Sequence, residues 1–428
     1  MVSVIVLTII KENVMVMVYS RVQSLFICLI AGLMFLFISC TVYASGFGIF
    51  TQDAAALGKG NAQVAHTDNP SAIFFNPGLL TRLEGTHVRL GTTLLFPERR
   101  FTSDLDGSRY STRSQTFFPS TFYFSHKTDQ NVALGFGFFS PFGLGTDWGR
   151  TWEGRYLATR SEMHTYNLNP SIAFQLTDWL SIGGGFNLLF LDTTLERNVL
   201  IDPALPDGRM KFDGDGDGVG FNIGVLIDLP HDFSLGVSYR SEISVDVDGD
   251  LTFSVPDPAA PLFPDSRAST DFDLPRIVHA AISYTGFERT TFEVGLRWEG
   301  WSSFKSLELR SPLLDIDEEK RWKDTWAFNI GIEYQPSDMW ILRAGYLYGQ
   351  TPVPDKTFEP AIPDADAHLF TLGAGIRRSN FSFDLAYGYQ LMEKRNKDNR
   401  IGEEFGLPAN GRYESEIHMV GVSMGYKF

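Results

Sequence analysis

Cysteine is scarce in this 428-residue chain: there are two, Cys28 and Cys40. Both fall in the first apolar segment, so a chain processed behind them has no disulfide, no thiolate metal site and no cysteine nucleophile. Long apolar runs are also missing. The only candidate, Leu25 to Ile38, is shorter than the ~20 residues a helical span needs. Arg21 precedes it and Val42-Tyr43-Ala44 follows as a small-x-Ala cleavage signal. Residues 1–44 therefore read as a secretory signal peptide, with translation starting at Met1, Met15 or Met17. Leu36-Phe37-Ile38-Ser39-Cys40 is only a weak lipoprotein box, because Phe37 fits it poorly. Basic excess is absent: 36 Lys and Arg face 51 Asp and Glu, for a net charge of −15. Nucleic-acid binders carry basic patches, so no nucleic-acid partner is expected. The eight histidines are scattered, with no H-E-x-x-H, and neither a metal nor a cofactor is expected.

Alternation is what the chain has in abundance. In the last segment Val420, Val422, Met424, Tyr426 and Phe428 share one face, and Gly421, Ser423, Gly425 and Lys427 the other. Period two sends one set to an apolar surround and the other to a small or polar one. Phe221, Ile223, Val225 and Ile227 repeat the pattern, as do Phe381, Phe383, Leu385 and Tyr387, and Trp326, Phe328, Ile330 and Ile332. Strands are expected near 86–101, 114–126, 131–142, 163–176, 180–198, 217–229, 233–252, 270–285, 290–309, 322–335, 339–349, 366–378, 380–392 and 412–428. Short turns such as Thr177-Asp178 and Ser379-Asn380 alternate with long connections near 143–162, 199–216, 253–269, 310–321, 350–365 and 393–411. An even number of alternating strands ending on an aromatic residue predicts an all-β transmembrane barrel of about 14 antiparallel strands over 86–428, in a Gram-negative outer membrane. A soluble sandwich also alternates, but seldom with this many aromatics at both strand ends. Transport is then the first functional expectation.

Residues 45–85 break the pattern. Ala54-Ala55-Ala56-Leu57-Gly58 and Asn69 to Pro77 suggest short helices with Gly and Pro stops. A segment of this size cannot hold a core alone, and inside a barrel it would form a plug.

Ser45-Gly46-Phe47, Gly58-Lys59-Gly60-Asn61-Ala62 and Asn76-Pro77-Gly78-Leu79-Leu80 resemble the N-terminal hatch of the FadL/TodX family, outer-membrane channels for long-chain fatty acids and other hydrophobic compounds. Further matches follow in order: Ser140 to Asp147, Gly154 to Ala158, Asn167 to Ser171, Thr351 to Asp355 and Ile362 to Asp366. Gly78 departs from the family, which usually has Ala there. The resemblance implies a hatch in which Phe47 reaches an inner pocket and Asn76 and Pro77 fix a turn. It implies capture at the outer loops, a lumenal pocket and a sideways exit where the third strand kinks. Gly135, Gly137 and Pro141 are the candidates for that gap, since Gly weakens a strand and Pro cannot donate to the ladder. It also implies that Arg197 and Lys323 hold a ligand carboxylate, although Glu196 and Asp324 beside them suit ordinary rim ion pairs.

Pro203-Ala204-Leu205-Pro206 and Pro261-Leu262-Phe263-Pro264 are apolar for loops. Leu205, Leu262 and Phe263 are candidates for an outer capture groove. Two sequence patterns mislead. Asp213-Gly214-Asp215-Gly216-Asp217-Gly218 looks like a calcium loop but lacks the closing Glu, and is expected to be a solvated turn. Gly421-Val422-Ser423-Met424-Gly425 matches a nucleophile elbow, which needs strand–turn–helix context rather than a strand. The expected function is passive uptake of long-chain fatty acids or other hydrophobic small molecules by a monomer, without catalysis. An aromatic-hydrocarbon or alkane channel of the same fold is the nearer alternative, and an outer-membrane lipase or acyltransferase the more distant. Expected partners are the hydrophobic ligand, the outer membrane with its lipopolysaccharide, and the barrel-assembly machinery through Phe428.

Overall fold

The computed structural model describes residues 46–428 except 129, 130, 203 and 313. The leader, Ser45 and Pro203 lie outside the described residues. Fourteen antiparallel wall strands are present: β1 Thr86–Ser103, β2 Ser120–Lys127, β3 Val132–Phe139, β4 Arg160–Thr177, β5 Leu180–Val199, β6 Gly208–Leu229, β7 Phe233–Arg240 with Ile243–Ser254, β8 Ser266–Leu274 with Ile277–Phe287, β9 Thr290–Glu299, β10 Thr325–Tyr334, β11 Trp340–Gly349, β12 Ala367–Arg378, β13 Phe381–Met392 and β14 Gly411–Lys427. Each pairs with its neighbours. β14 then pairs with β1 from His87–Lys427 to Ser103–Gly411, so the strands close into a barrel.

The alternation explains the wall. Phe186, Val219, Leu372 and Phe381 point outward and are exposed, whereas Asn187, Asn222 and Asp384 are buried inside. Outward apolar side chains gain from a lipid surround at about 25 cal/mol per Å², and the polar inner face pairs with itself or with residues 46–85. β1 begins and β14 ends beside the short turns, where Phe428 N–H donates to the Thr86 carbonyl, 2.9 Å.

One reading needs correction. The Asp213–Gly218 repeat is not a turn but the middle of β6. Its period of two puts the aspartates outward and glycines inward. Gly216 pairs with Val247 on β7, and a Cβ on Gly216 would lie 2.2 Å from the Asp246 carbonyl oxygen. The connection expected over 199–216 accordingly shrinks to residues 200–207, whereas the one expected over 310–321 widens to 300–324, because β9 ends at Glu299 rather than 309, and it contains a hairpin, Ser306–Arg310 with Asp315–Glu319. Among the described residues no group of His, Cys, Asp and Glu is placed to hold a metal ion.

Residues 46–85 lie within the barrel. Helix α1, Ala54–Gly58, is capped by Asp53, whose carboxylate accepts from Ala55 and Ala56. Helix α2, Ala72–Phe75, leads through Asn76 into a 3-10 turn, Pro77–Arg82. The Asn76 side chain accepts from Gly78 N–H at 3.0 Å and donates to Val64 and Val225 carbonyls at 2.8 and 3.0 Å. Where this segment's backbone meets the wall, the wall has glycine. A Cβ at Gly345 would lie 2.1 Å from the Lys59 carbonyl carbon, and one at Gly236 would lie 2.1 Å from the Val64 oxygen.

Candidate functional site

The third wall strand is interrupted. β3 pairs with β2 only from Phe122–Phe138 to Lys127–Ala133. After Phe139 the chain leaves the ladder, then resumes as Gly143–Asp147 paired to β4 alone. On the other side of the break, Phe117 stays with β1, exchanging backbone bonds with Leu95 at 2.8 and 3.1 Å. Arg113 N–H donating to the Asp147 carbonyl, 2.7 Å, joins the two lips at the outer end. Pro141 has no N–H to give, which explains why the ladder fails here.

The N-terminal segment fills the vacated positions. Ile49 N–H donates to the Pro141 carbonyl at 2.8 Å, and Gly143 N–H to the Phe47 carbonyl at 2.9 Å. Gln52 Nε2 donates to the Ser140 carbonyl at 2.7 Å. Gly135 and Gly137 lie below the break. They are paired in the ladder, and a Cβ on either would meet the Ile73 side chain at about 3 Å. They make room for Ile73 of the N-terminal segment, and the interruption of the strand lies at Ser140–Phe142.

Behind the break lies a cavity of 640 Å³, within the usual range for small-molecule sites. Leu95, Phe117, Phe138, Phe142, Leu144 and Tyr166 supply much of its apolar lining. Phe47 forms its inner end. That ring is buried against Trp301, Trp322 and Phe304, with centroids 4.7, 5.5 and 6.0 Å away. A second, smaller cavity of 70 Å³ lies on the other side of Phe47, Leu144, Met163 and Ile362, residues that both cavities share.

Arg197 lines the smaller cavity, 3.4 Å from Glu318. Lys323 is exposed, lines neither cavity, and offers its backbone N–H to Pro352. The two cations expected to converge on one carboxylate are therefore not brought together. The buried cation there is Lys320, whose ammonium contacts Glu359 and Glu318. Burial disfavours its charge, but the two carboxylates raise Lys320 above the usual lysine range. Leu205, Leu262 and Phe263 sit at outer loop tips, the first two exposed, and line neither cavity. Reading the sequence missed Arg99, on the same inward face of β1 as Leu95 and Pro97 and lining the larger cavity with them. Period two along β1 was the available signal.

The family model described as outer membrane protein transport protein (OMPP1/FadL/TodX) matches residues 35–428. A long-chain fatty acid transport protein of Salmonella typhi is 24% identical, over 91% of this chain and 96% of that protein. A 47 kDa outer membrane protein of Pasteurella multocida is also 24% identical, over 90% and 94%. Among solved structures, a Pseudomonas aeruginosa FadL homologue superposes with a TM-score of 0.79 at 21% identity, covering 90% of this chain and all of that one. The Pseudomonas putida toluene transporter TodX does so at 0.72 and 17% identity, covering 91% and 99%.

Proposed function

Because this chain belongs to the outer membrane protein transport family (OMPP1/FadL/TodX), we propose that it is a passive channel for long-chain fatty acids. It is an outer-membrane β-barrel, and the proposal concerns its cargo and route. The observation that carries the proposal is the 640 Å³ cavity, apolar over much of its lining and set directly behind an interrupted wall strand. A long tail gains free energy there in proportion to the area it buries. Arg197, in the smaller outer cavity, meets an acid first, and Phe47 separates that cavity from the larger one. The break beside Pro141 is the sideways exit, since the lumen below is filled by residues 46–85. That segment acts as the hatch, with Asn76 and Pro77 forming its main turn.

Aromatic hydrocarbons or alkanes are the second reading, favoured by the Phe117, Phe138 and Phe142 walls. Phe428, exposed at the last position, is the contact for the barrel-assembly machinery. The test is complementation in a strain lacking its own fatty-acid and hydrocarbon channels. Expression of this chain should restore growth on oleate as sole carbon source. Restoration on toluene or hexadecane instead would shift the cargo, and restoration on none would overturn the proposal.

A further inference from the structure

We propose that Arg99 is the residue that holds the ligand's anionic head group in the larger cavity. This deepens the fatty-acid reading above and rests on it. Arg99 points inward from the outer part of β1 and lines the cavity. Its Nη1 donates to the Gly145 carbonyl at 2.6 Å, on the far lip of the interrupted strand. That contact uses one of five N–H donors, and the fork of a guanidinium suits a carboxylate.

Its surroundings separate it from the other inward arginines. Arg297 also lines the cavity, but it is held by Glu299 at 2.5 Å and lies over the Phe50 ring. Arg89 and Arg343 are each paired with Asp384. Arg240 lacks a carboxylate, but it is buried between Phe74 and Phe139 and lines no described cavity. Among the described residues no carboxylate lies within 4 Å of Arg99. The two acids that line the cavity hydrogen-bond to other partners, although Asp364 still acts on Arg99 through space. Glu162 accepts from Gln115 and from Arg160, both at 2.7 Å, and Asp364 accepts from Gly46 and Thr351. Leu95 and Phe117 lie toward the membrane centre, roughly 13 Å along β1 at 3.3 Å per residue. A head on Arg99 thus lays its tail against the break.

The experiment uses the full processed barrel in non-ionic detergent, with radiolabelled oleate and oleyl alcohol as probes of equal tail and different head. Wild type should bind oleate about ten- to a hundredfold more tightly than oleyl alcohol. Arg99→Gln should erase that preference, leaving oleyl alcohol within about twofold of wild type, and Arg99→Lys should keep part of it. A folded Arg99→Gln that retains the preference overturns the proposal. So does a wild type that shows no preference, a measurement independent of any variant. If wild type binds neither probe saturably, the fatty-acid reading itself fails, an outcome distinct from the loss of head-group preference.

Discussion

Asp364 accepts the backbone N–H of Gly46 at 3.1 Å, tying the connection before β12 to the first described residue of the hatch. Burial pushes Asp364 up to about 6, and burial together with Glu393 and Asp364 pushes Asp366 up to about 7. A carboxyl group that binds its proton more tightly when folded favours the folded form in acid. The contribution is fully present below about pH 4 and is lost as pH rises through 6 to 7. Amides of residues 350–366 should therefore open less at pH 5 than at pH 8, after correction for intrinsic exchange. Hydrogen exchange by mass spectrometry measures this. Asp364→Asn should flatten the dependence, and a loop equally protected at both pH values in wild type would refute it.

Glu293 on β9 accepts three consecutive hatch amides, Val64 at 2.6, Ala65 at 3.2 and His66 at 2.9 Å. Hydrogen bonds to charged groups contribute about 1.5–3 kcal/mol each, less where water can replace them. Glu293→Ala should loosen the hatch and raise single-channel conductance in planar bilayers. Glu293→Gln, which keeps one acceptor, should give an intermediate value. Wild-type conductance in both variants would show that this anchor does not hold the plug.

Gly345 leaves no space for a side chain against Lys59. Gly345→Ala should cost roughly 1–3 kcal/mol, as overpacking does, and lower the temperature at which the barrel loses its fast, unboiled gel mobility. Gly184→Ala is the control, since its Cβ meets nothing closer than 3.1 Å. Equal melting of the two variants would contradict the close-approach argument.

Like charges face each other across the outer strands. Asp215 on β6 pairs with Asp248 on β7 and with Asp192 on β5. Opposed like charges destabilise a sheet by about 0.2–1 kcal/mol. Asp248→Asn should raise stability by that amount in low salt and by much less at 1 M salt, where screening acts within about 3 Å. Denaturation midpoints at the two ionic strengths decide it.

The wall was legible because each strand carries an outward apolar and an inward polar or small set, as at Phe381 to Tyr387. The same rule was misapplied at Asp213–Gly218. There composition suggested a turn, while the alternation of Asp and Gly already had the period of a strand. Gly135 and Gly137 drew attention in the third strand because glycine weakens ladders, but their small size serves packing against Ile73. Pro141, one missing donor, marks the break. The placement of cations was hidden for a different reason. Lys320 and Lys323 are three residues apart on an irregular connection, and nothing local says that Lys320 turns inward to Glu359. Arg99, on a regular strand, was within reach of period-two reasoning.

The hatch also bears on how the cylinder shuts. Asp53 binds Arg89 on β1, while the next residue, Ala54, gives its N–H to Ser423 on β14 at 3.0 Å. These are the two strands whose pairing completes the wall. The segment around α1 thus grips both sides of the seam from within, like a clasp across a cuff. Seating α1 and closing the seam therefore draw on the same contacts, and a chain without α1 would bring its first and last strands together without them.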